Sequence, residues 1–306
     1  MTRRRLLAGG AAAALAGCAR PDPEALWPPI GRFVEAEGLR LHYTDQGEGP
    51  AVALIHGANG NLRDFAFSLQ PRLAERGLRV VAFDRPGHGY SQRPPERGWS
   101  PDIQARALLA GARALGLGRA VVVGHSWGGA VATAWALRDP NGVAAAVSLA
   151  GATHPWGGDA GLLWRLGRTP LLDAPLARGL RLLVDERAPR DVLERVFRPN
   201  PVPPGYAEYI GAGLTLRVDA FRHNAQDLDR LNAALAEQAP LYVGLPMPVL
   251  AIHGLADRTV SLDLHARRLA EEAPRGRLLA LPGVGHMPHH AAEARVVEAI
   301  ARLAGR

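Results

Sequence analysis

The sequence predicts an α/β fold: a mostly parallel eight-stranded sheet with helices on both faces and a helical cap inserted after the sixth strand. Three observations on the 306-residue chain carry this expectation. Short apolar runs bounded by turn residues alternate with helix-period stretches over 32–151 and again over 244–306, and strands that alternate with helices pair in parallel. Two of those runs, 51–55 and 120–123, are apolar at every position, as strands buried on both faces are. Between 152 and 243 the alternation stops, and tryptophans, prolines and short helical segments replace it.

The first element is a targeting segment. Arg3-Arg4-Arg5 forms a basic n-region, and residues 6–15 form an apolar stretch shorter than the ~20 residues a bilayer span needs. It ends Leu15-Ala16-Gly17-Cys18, which resembles the bacterial lipobox, where the cysteine is acylated and becomes the first mature residue. Cys18 is the only cysteine, so no internal disulfide can form. We therefore expect a signal peptide over 1–17, lipidation at Cys18, and a chain held to a membrane in the cell envelope. A soluble periplasmic or secreted protein is the alternative. Thr2-Arg3-Arg4-Arg5-Leu6-Leu7 also resembles a loose twin-arginine signal. Residues 18–31, with Pro21, Pro23, Pro28 and Pro29, read as an extended tether.

Composition bounds the rest. Hydrophobic residues are 47% and charged residues 21%, a globular balance that excludes a disordered chain. Of the formal charge of +7, Arg3, Arg4 and Arg5 supply three, which leaves +4 for the remainder. Those arginines are scattered among acids, so no nucleic-acid partner is expected. A monomer is the default.

Within the folded part, 33–36 and 39–44 read as a hairpin turning at Glu37-Gly38. Strands follow at 51–55 and 78–83, with one helix over 62–76 between them. A helix over 102–115 leads to strand 120–123, a turn, and a helix through about 137. Strand 143–149 is the sixth. The cap, 152–243, holds helical segments at 161–166, 176–184, 190–197 and 206–216. After it come strand 248–252, helix 262–272, strand 277–281 and a last helix over 291–304.

The turn after strand 120–123 carries the chemistry. Gly124-His125-Ser126-Trp127-Gly128 places one hydroxyl at the apex of a strand-to-helix turn, where glycines let neighbouring segments approach. Ser126 is the candidate nucleophile, and a serine needs a base and an orienting acid. His286, in Gly283-Val284-Gly285-His286, is the candidate base. Asp257, after the preceding strand, is the candidate acid. The rival acids are Asp84, placed in a turn, Asp139, and Asp263, which reads as a helix cap. The oxyanion donors are expected to be the backbone N–H groups of Trp127 and of Ala58, in His56-Gly57-Ala58-Asn59. His125, His56 and His253 read as packing or hydrogen-bonding residues. His286, His289 and His290 have a ligand-like spacing, but no carboxylate or cysteine lies nearby in sequence, so no metal is expected.

These motifs resemble the α/β-hydrolase fold family over residues 33–304. Four matches carry the resemblance: His56-Gly57-Ala58-Asn59; Asp84-Arg85-Pro86-Gly87-His88-Gly89-Tyr90-Ser91; Gly124-His125-Ser126-Trp127-Gly128-Gly129; and the Asp257 and His286 loops. The resemblance implies a serine-nucleophile branch, since serine at the elbow departs from the aspartate-nucleophile haloalkane dehalogenases and epoxide hydrolases. It also implies that Asp84 and Ser91 sit in a structural turn. The expected activity is hydrolysis of an ester, or a related acyl bond, of a small and mainly apolar substrate, with no cofactor. Hydrolysis of a carbon–carbon bond, a lactone or an amide, and cofactor-free perhydrolysis, are alternatives on the same residues. A lipoprotein that binds an apolar ligand without turnover is the alternative outside enzymes. Asn59, Trp156, Trp164, Tyr206, Tyr209 and Phe221 are the candidate pocket residues, with packing inside the cap as the competing role for the aromatics.

Overall fold

A computed structural model of the chain describes residues 22–158, 161–183 and 190–306. The signal segment and Cys18 lie outside the described residues. Eight strands form one sheet: β1 Arg32–Ala36, β2 Leu39–Gln46, β3 Ala51–Ile55, β4 Arg79–Phe83, β5 Ala120–His125, β6 Val143–Leu149, β7 Val249–Gly254 and β8 Gly276–Leu281, in the order β1-β2-β4-β3-β5-β6-β7-β8. The β1–β2 and β2–β4 pairs are antiparallel, and every other pair is parallel. The expected α/β architecture is the one observed.

The alternation of side chains along a strand explains the two cores. In β3, Ala51, Ala53 and Ile55 enter one apolar cluster, while Val52 and Leu54 enter the other. Short helices α1 (Pro23–Leu26), α2 (Arg63–Ala66) and α3 (Leu69–Ala74) precede the long α4 (Pro101–Ala114) and α5 (Trp127–Arg138). Helices α4 and α5 cover the first cluster, and α2 and α3 cover the second. The cap contributes α6 (Leu162–Gly167), α7 (Asp173–Leu183), α8 (Arg190–Phe197), α9 (Tyr206–Tyr209) and α10 (Val218–Gln238). After it come α11 (Arg268–Glu272), α12 (Pro288–Ala291) and α13 (Glu293–Leu303), the last packed into the second cluster.

Three expectations are corrected. The single helix over 62–76 is two, because Pro71 has no N–H and its ring would meet the carbonyl of Phe67, so one helix cannot run through. The 21-residue α10 was not expected at all. Its buried face carries Asn224, Asp227 and Gln238 among Ala220, Phe221, Leu231 and Leu235, which breaks the apolar periodicity that reveals a helix. Ser261, not Asp263, caps the segment before α11: its side chain accepts from the Leu264 N–H, while Asp263 pairs with Arg267 at 2.8 Å.

Helix α10 is bolted to the loop after β4 and to α4 by a buried charge. Asp227 accepts from Arg85 at 2.8 Å, Arg93 at 2.8 Å and His88 at 2.9 Å, and Gln104 approaches within 3.2 Å. The Asp227 backbone carbonyl accepts from the Trp127 indole N–H, and the Arg85 guanidinium stacks 4.1 Å from the Trp127 ring. The residue after Ser126 is thereby locked to the cap helix.

Candidate active site

The turn between β5 and α5 is as tight as its glycines imply. A Cβ on Gly124 would stand 2.0 Å from the Gly128 carbonyl oxygen, and one on Gly128 would stand 2.3 Å from that of Ile55. Ser126 itself has φ +51° and ψ −120°, a region that costs a non-glycine residue of order 1–3 kcal/mol. The strain is held by the Ser126 N–H donating to the Leu149 carbonyl and by the Ser126 carbonyl accepting from Gly129 and Ala152.

His286 reaches this hydroxyl. Its Nε2 stands 3.0 Å from Ser126 Oγ, and its Nδ1 stands 2.8 Å from Asp257 Oδ2. With the Nδ1–H donating to the carboxylate, the Nε2 lone pair faces the serine. Burial pushes the Asp257 carboxyl up, but hydrogen bonds from His253 and His286, with the Thr259 N–H, outweigh it and keep it far below the usual carboxylate range. It is therefore charged at any working pH. His253 Nε2 divides its one proton between the Val260 carbonyl, at 3.0 Å, and Asp257 Oδ2, at 3.2 Å.

The loop after β3 lies alongside. A Cβ on Gly57 would fall 3.0 Å from the Cβ of Ser126. Asn59 sits next, at φ +51°, in a reciprocal clamp: its N–H donates to Asn224 Oδ1 and its own Oδ1 accepts from Asn224 Nδ2, both at 2.8 Å. His56 stays neutral, its pKa pushed down to about 4 by burial, with Nδ1–H donating to Gly57 and Nε2 accepting from the Arg85 N–H.

The chain is similar to known proteins along most of its length. The family model for the alpha/beta hydrolase fold matches residues 50–292. The chain belongs to the α/β-hydrolase fold family. It is 31% identical to 2-hydroxymuconate semialdehyde hydrolase of Pseudomonas putida over 275 residues, 89% of this chain and 94% of that protein. A meta-cleavage product hydrolase of Pseudomonas fluorescens IP01 superposes with a TM-score of 0.68 at 28% identity, covering 90% of this chain and 97% of the other. The similarity to bifunctional epoxide hydrolase 2 of Sus scrofa, 38% over 129 residues, spans only 42% of this chain and 23% of that protein.

In this α/β hydrolase the candidate pocket residues fall in several places. The Tyr206 hydroxyl donates to Asp64 Oδ1 at 2.8 Å, and its ring packs on Phe197 and His290. Trp164 and Phe221 pack on each other, and Tyr209 lies under the Arg63 guanidinium. The Trp156 N–H donates to Asn232, and its ring meets His265 edge-on. A cavity of about 780 Å³ opens beside Asp257, but Arg195, Arg198, Leu255 and Arg258 line it, and none of those aromatics does.

The histidine cluster differs from expectation. A carboxylate does complete it: Asp64 lies 3.1 Å from His289 Nε2 and 2.9 Å from His290 Nε2. A metal-bound imidazole normally donates its other N–H, yet the buried His289 Nδ1 has no partner. The two imidazoles and Tyr206 are accordingly hydrogen-bond donors to Asp64. Burial raises the Asp64 carboxyl, and His289 and His290 together drive it well below its ordinary value. His125 stands between this group and the site, its Nε2–H donating to the His286 carbonyl at 2.9 Å and its Nδ1 3.9 Å from Asp64.

Of the rival acids, Asp84 is buried among donors from His42, Leu62 and Tyr90, and Asp139 pairs with Arg113. Sequence reasoning missed Asn224, Asp227, Asp64 and Asn200. Asn200, in the cap, accepts from the Gly285 N–H and donates to the Gly283 carbonyl, which ties the His286 loop to α8. No short-range pattern marks these four, because each is defined by a partner far away in sequence.

Proposed function

We propose that this α/β hydrolase cleaves an ester, or a related acyl bond, of a small and mainly apolar substrate through an acyl-enzyme on Ser126. The observation that carries the reading is the continuous line from Ser126 Oγ through His286 to Asp257, at 3.0 and 2.8 Å. His286 takes the serine proton as Oγ attacks the acyl carbonyl, and Asp257 holds the imidazolium that forms. The N–H groups of Ala58 and Trp127 receive the oxyanion, each worth roughly 3–4 kcal/mol in the transition state. His286 then protonates the leaving group, and water, activated by the same imidazole, releases the acid and restores the serine.

Hydrolysis of a carbon–carbon bond on the same residues is the second reading. It is favoured by the similarity to 2-hydroxymuconate semialdehyde hydrolase over 89% of the chain. A fluorophosphonate probe tests the nucleophile for both. We expect stoichiometric labelling of the wild type and none of Ser126→Ala; equal labelling of the two sinks the proposal. A panel of p-nitrophenyl esters of rising chain length, beside a vinylogous 1,5-diketone acid, separates the substrates.

We also propose that the chain is exported and anchored through acylated Cys18, supported by the basic, apolar and Leu-Ala-Gly-Cys segments in succession. The wild type expressed in a bacterium should partition into the detergent phase of a Triton X-114 extract, and Cys18→Ser should leave it. An unchanged partition would refute lipidation.

A further inference from the structure

We propose, resting on the acyl-enzyme reading of Ser126, that Asn224 of cap helix α10 is a positioning residue that aims the Ala58 N–H of the oxyanion hole. The loop 56–61 is anchored at both ends. The Gly57 carbonyl accepts from His56 Nδ1–H at 2.8 Å and from the Arg85 guanidinium at 3.3 Å. At the other end, Asn61 Nδ2 donates to the Ile210 carbonyl at 2.8 Å. Between these anchors, residues 58–60 make hydrogen bonds only with Asn224 among the described residues. Asn224 is 1% exposed, and its oxygen and its nitrogen are both spent on Asn59.

Peptide geometry gives this clamp its consequence. The Gly57 carbonyl and the Ala58 N–H share one trans plane and point in opposite directions, so the anchored carbonyl turns the N–H away from His56 and Arg85. The next plane carries the Asn59 N–H, which donates to Asn224 Oδ1 at 2.8 Å. Asn224 therefore fixes the plane on the far side of the Ala58 Cα, and it keeps Asn59 at φ +51°. The Ala58 N–H has no acceptor among the described residues, which leaves it free for a developing oxyanion. The loop lies against the nucleophile, since a Cβ on Gly57 would fall 3.0 Å from the Cβ of Ser126. With Asn224 gone, nothing in the cap holds the Ala58–Asn59 peptide in place.

The test compares Asn224→Ala with the wild type in ester turnover and in the rate of fluorophosphonate labelling. The phosphoryl oxygen of the probe takes the place of the oxyanion. Endpoint labelling counts competent serines, and both rates are expressed per labelled serine, so a loss of folded protein alone changes neither. We expect kcat and the labelling rate each to fall at least about tenfold, with KM changed less than about threefold. Asn59→Gly is the milder second variant: it keeps the backbone N–H, suits φ +51° and removes only the bond from Asn224 Nδ2. Its kcat per serine should fall about threefold. Rates per serine equal to the wild type in both variants overturn the proposal, as does a rise in KM with kcat unchanged. A wild type that the probe does not label removes the acyl-enzyme reading, and this proposal with it.

Discussion

His286→Ala is expected to lower kcat on an ester substrate by about 10⁵–10⁶, with KM changed only a few-fold. The imidazole stands 3.0 Å from Ser126 Oγ. In the proposed reaction its contribution is made as the serine loses its proton, so the loss should fall on the chemical step. Asp257→Asn should cost less, on the order of 10⁴, because the amide presents an N–H to Nδ1 and favours the wrong tautomer. Asp257 Oδ1 accepts from the Thr259 and Val260 N–H groups, at 2.7 and 3.1 Å, and the amide oxygen of the variant keeps both, which places its N–H groups at the Oδ2 position against His286 and His253. Steady-state kinetics on the best ester of the panel reads both. Activity of His286→Ala within tenfold of the wild type would remove it from the mechanism.

Asp227→Ala is expected to destabilise the fold by about 3–5 kcal/mol, because it strands buried cations. Arg85 and Asp227 are fully buried, and Arg93 is nearly so. Arg85 Nε and Arg93 NH1 already lack partners, so no spare acceptor is at hand. The thermal midpoint should drop by roughly 10 °C. Burial alone would raise the Asp227 carboxyl; Arg93, His88 and Arg85 outweigh it and hold it far below its ordinary value. A carboxylate with a lowered folded pKa contributes stability above its unfolded pKa and loses that contribution as pH falls toward the folded one. The Asp227 contribution should therefore be flat above about pH 5 and decline below about pH 4, on top of an earlier decline from about pH 6.5 caused by buried neutral histidines such as His56. The decline should be shallower in Asp227→Ala. Denaturant unfolding across pH 2–7 measures both effects, and parallel curves would show that Asp227 does not carry the linkage.

Much of the fold is readable along the chain. Strands β3 and β5 are buried on both faces, so the runs 51–55 and 120–123 within them are apolar throughout and stand out. The elbow is readable because its constraints are local: Gly124, Ser126 and Gly128 are covalent neighbours. Asp257 and His286 are readable because each follows a strand that the pattern identifies. Helix α10 is not, since its buried Asn224 and Asp227 look like surface residues until Asn59, Arg85, His88 and Arg93 are placed against them. Asp64 fails for the same reason, lying 225 positions before His289.

The sequence by itself determined the α/β class, the order of the strands along the chain and the identity of the serine, aspartate and histidine that meet at the elbow. Those properties follow from periodicity and from turns a few residues long. Only the tertiary structure decided what holds them. Asn224 clamps the Asn59 loop, Asn200 the His286 loop, and Asp227 fixes Trp127 to the cap. A polar side chain is stable in the interior only with a partner, and here the partners come from the other side of the chain.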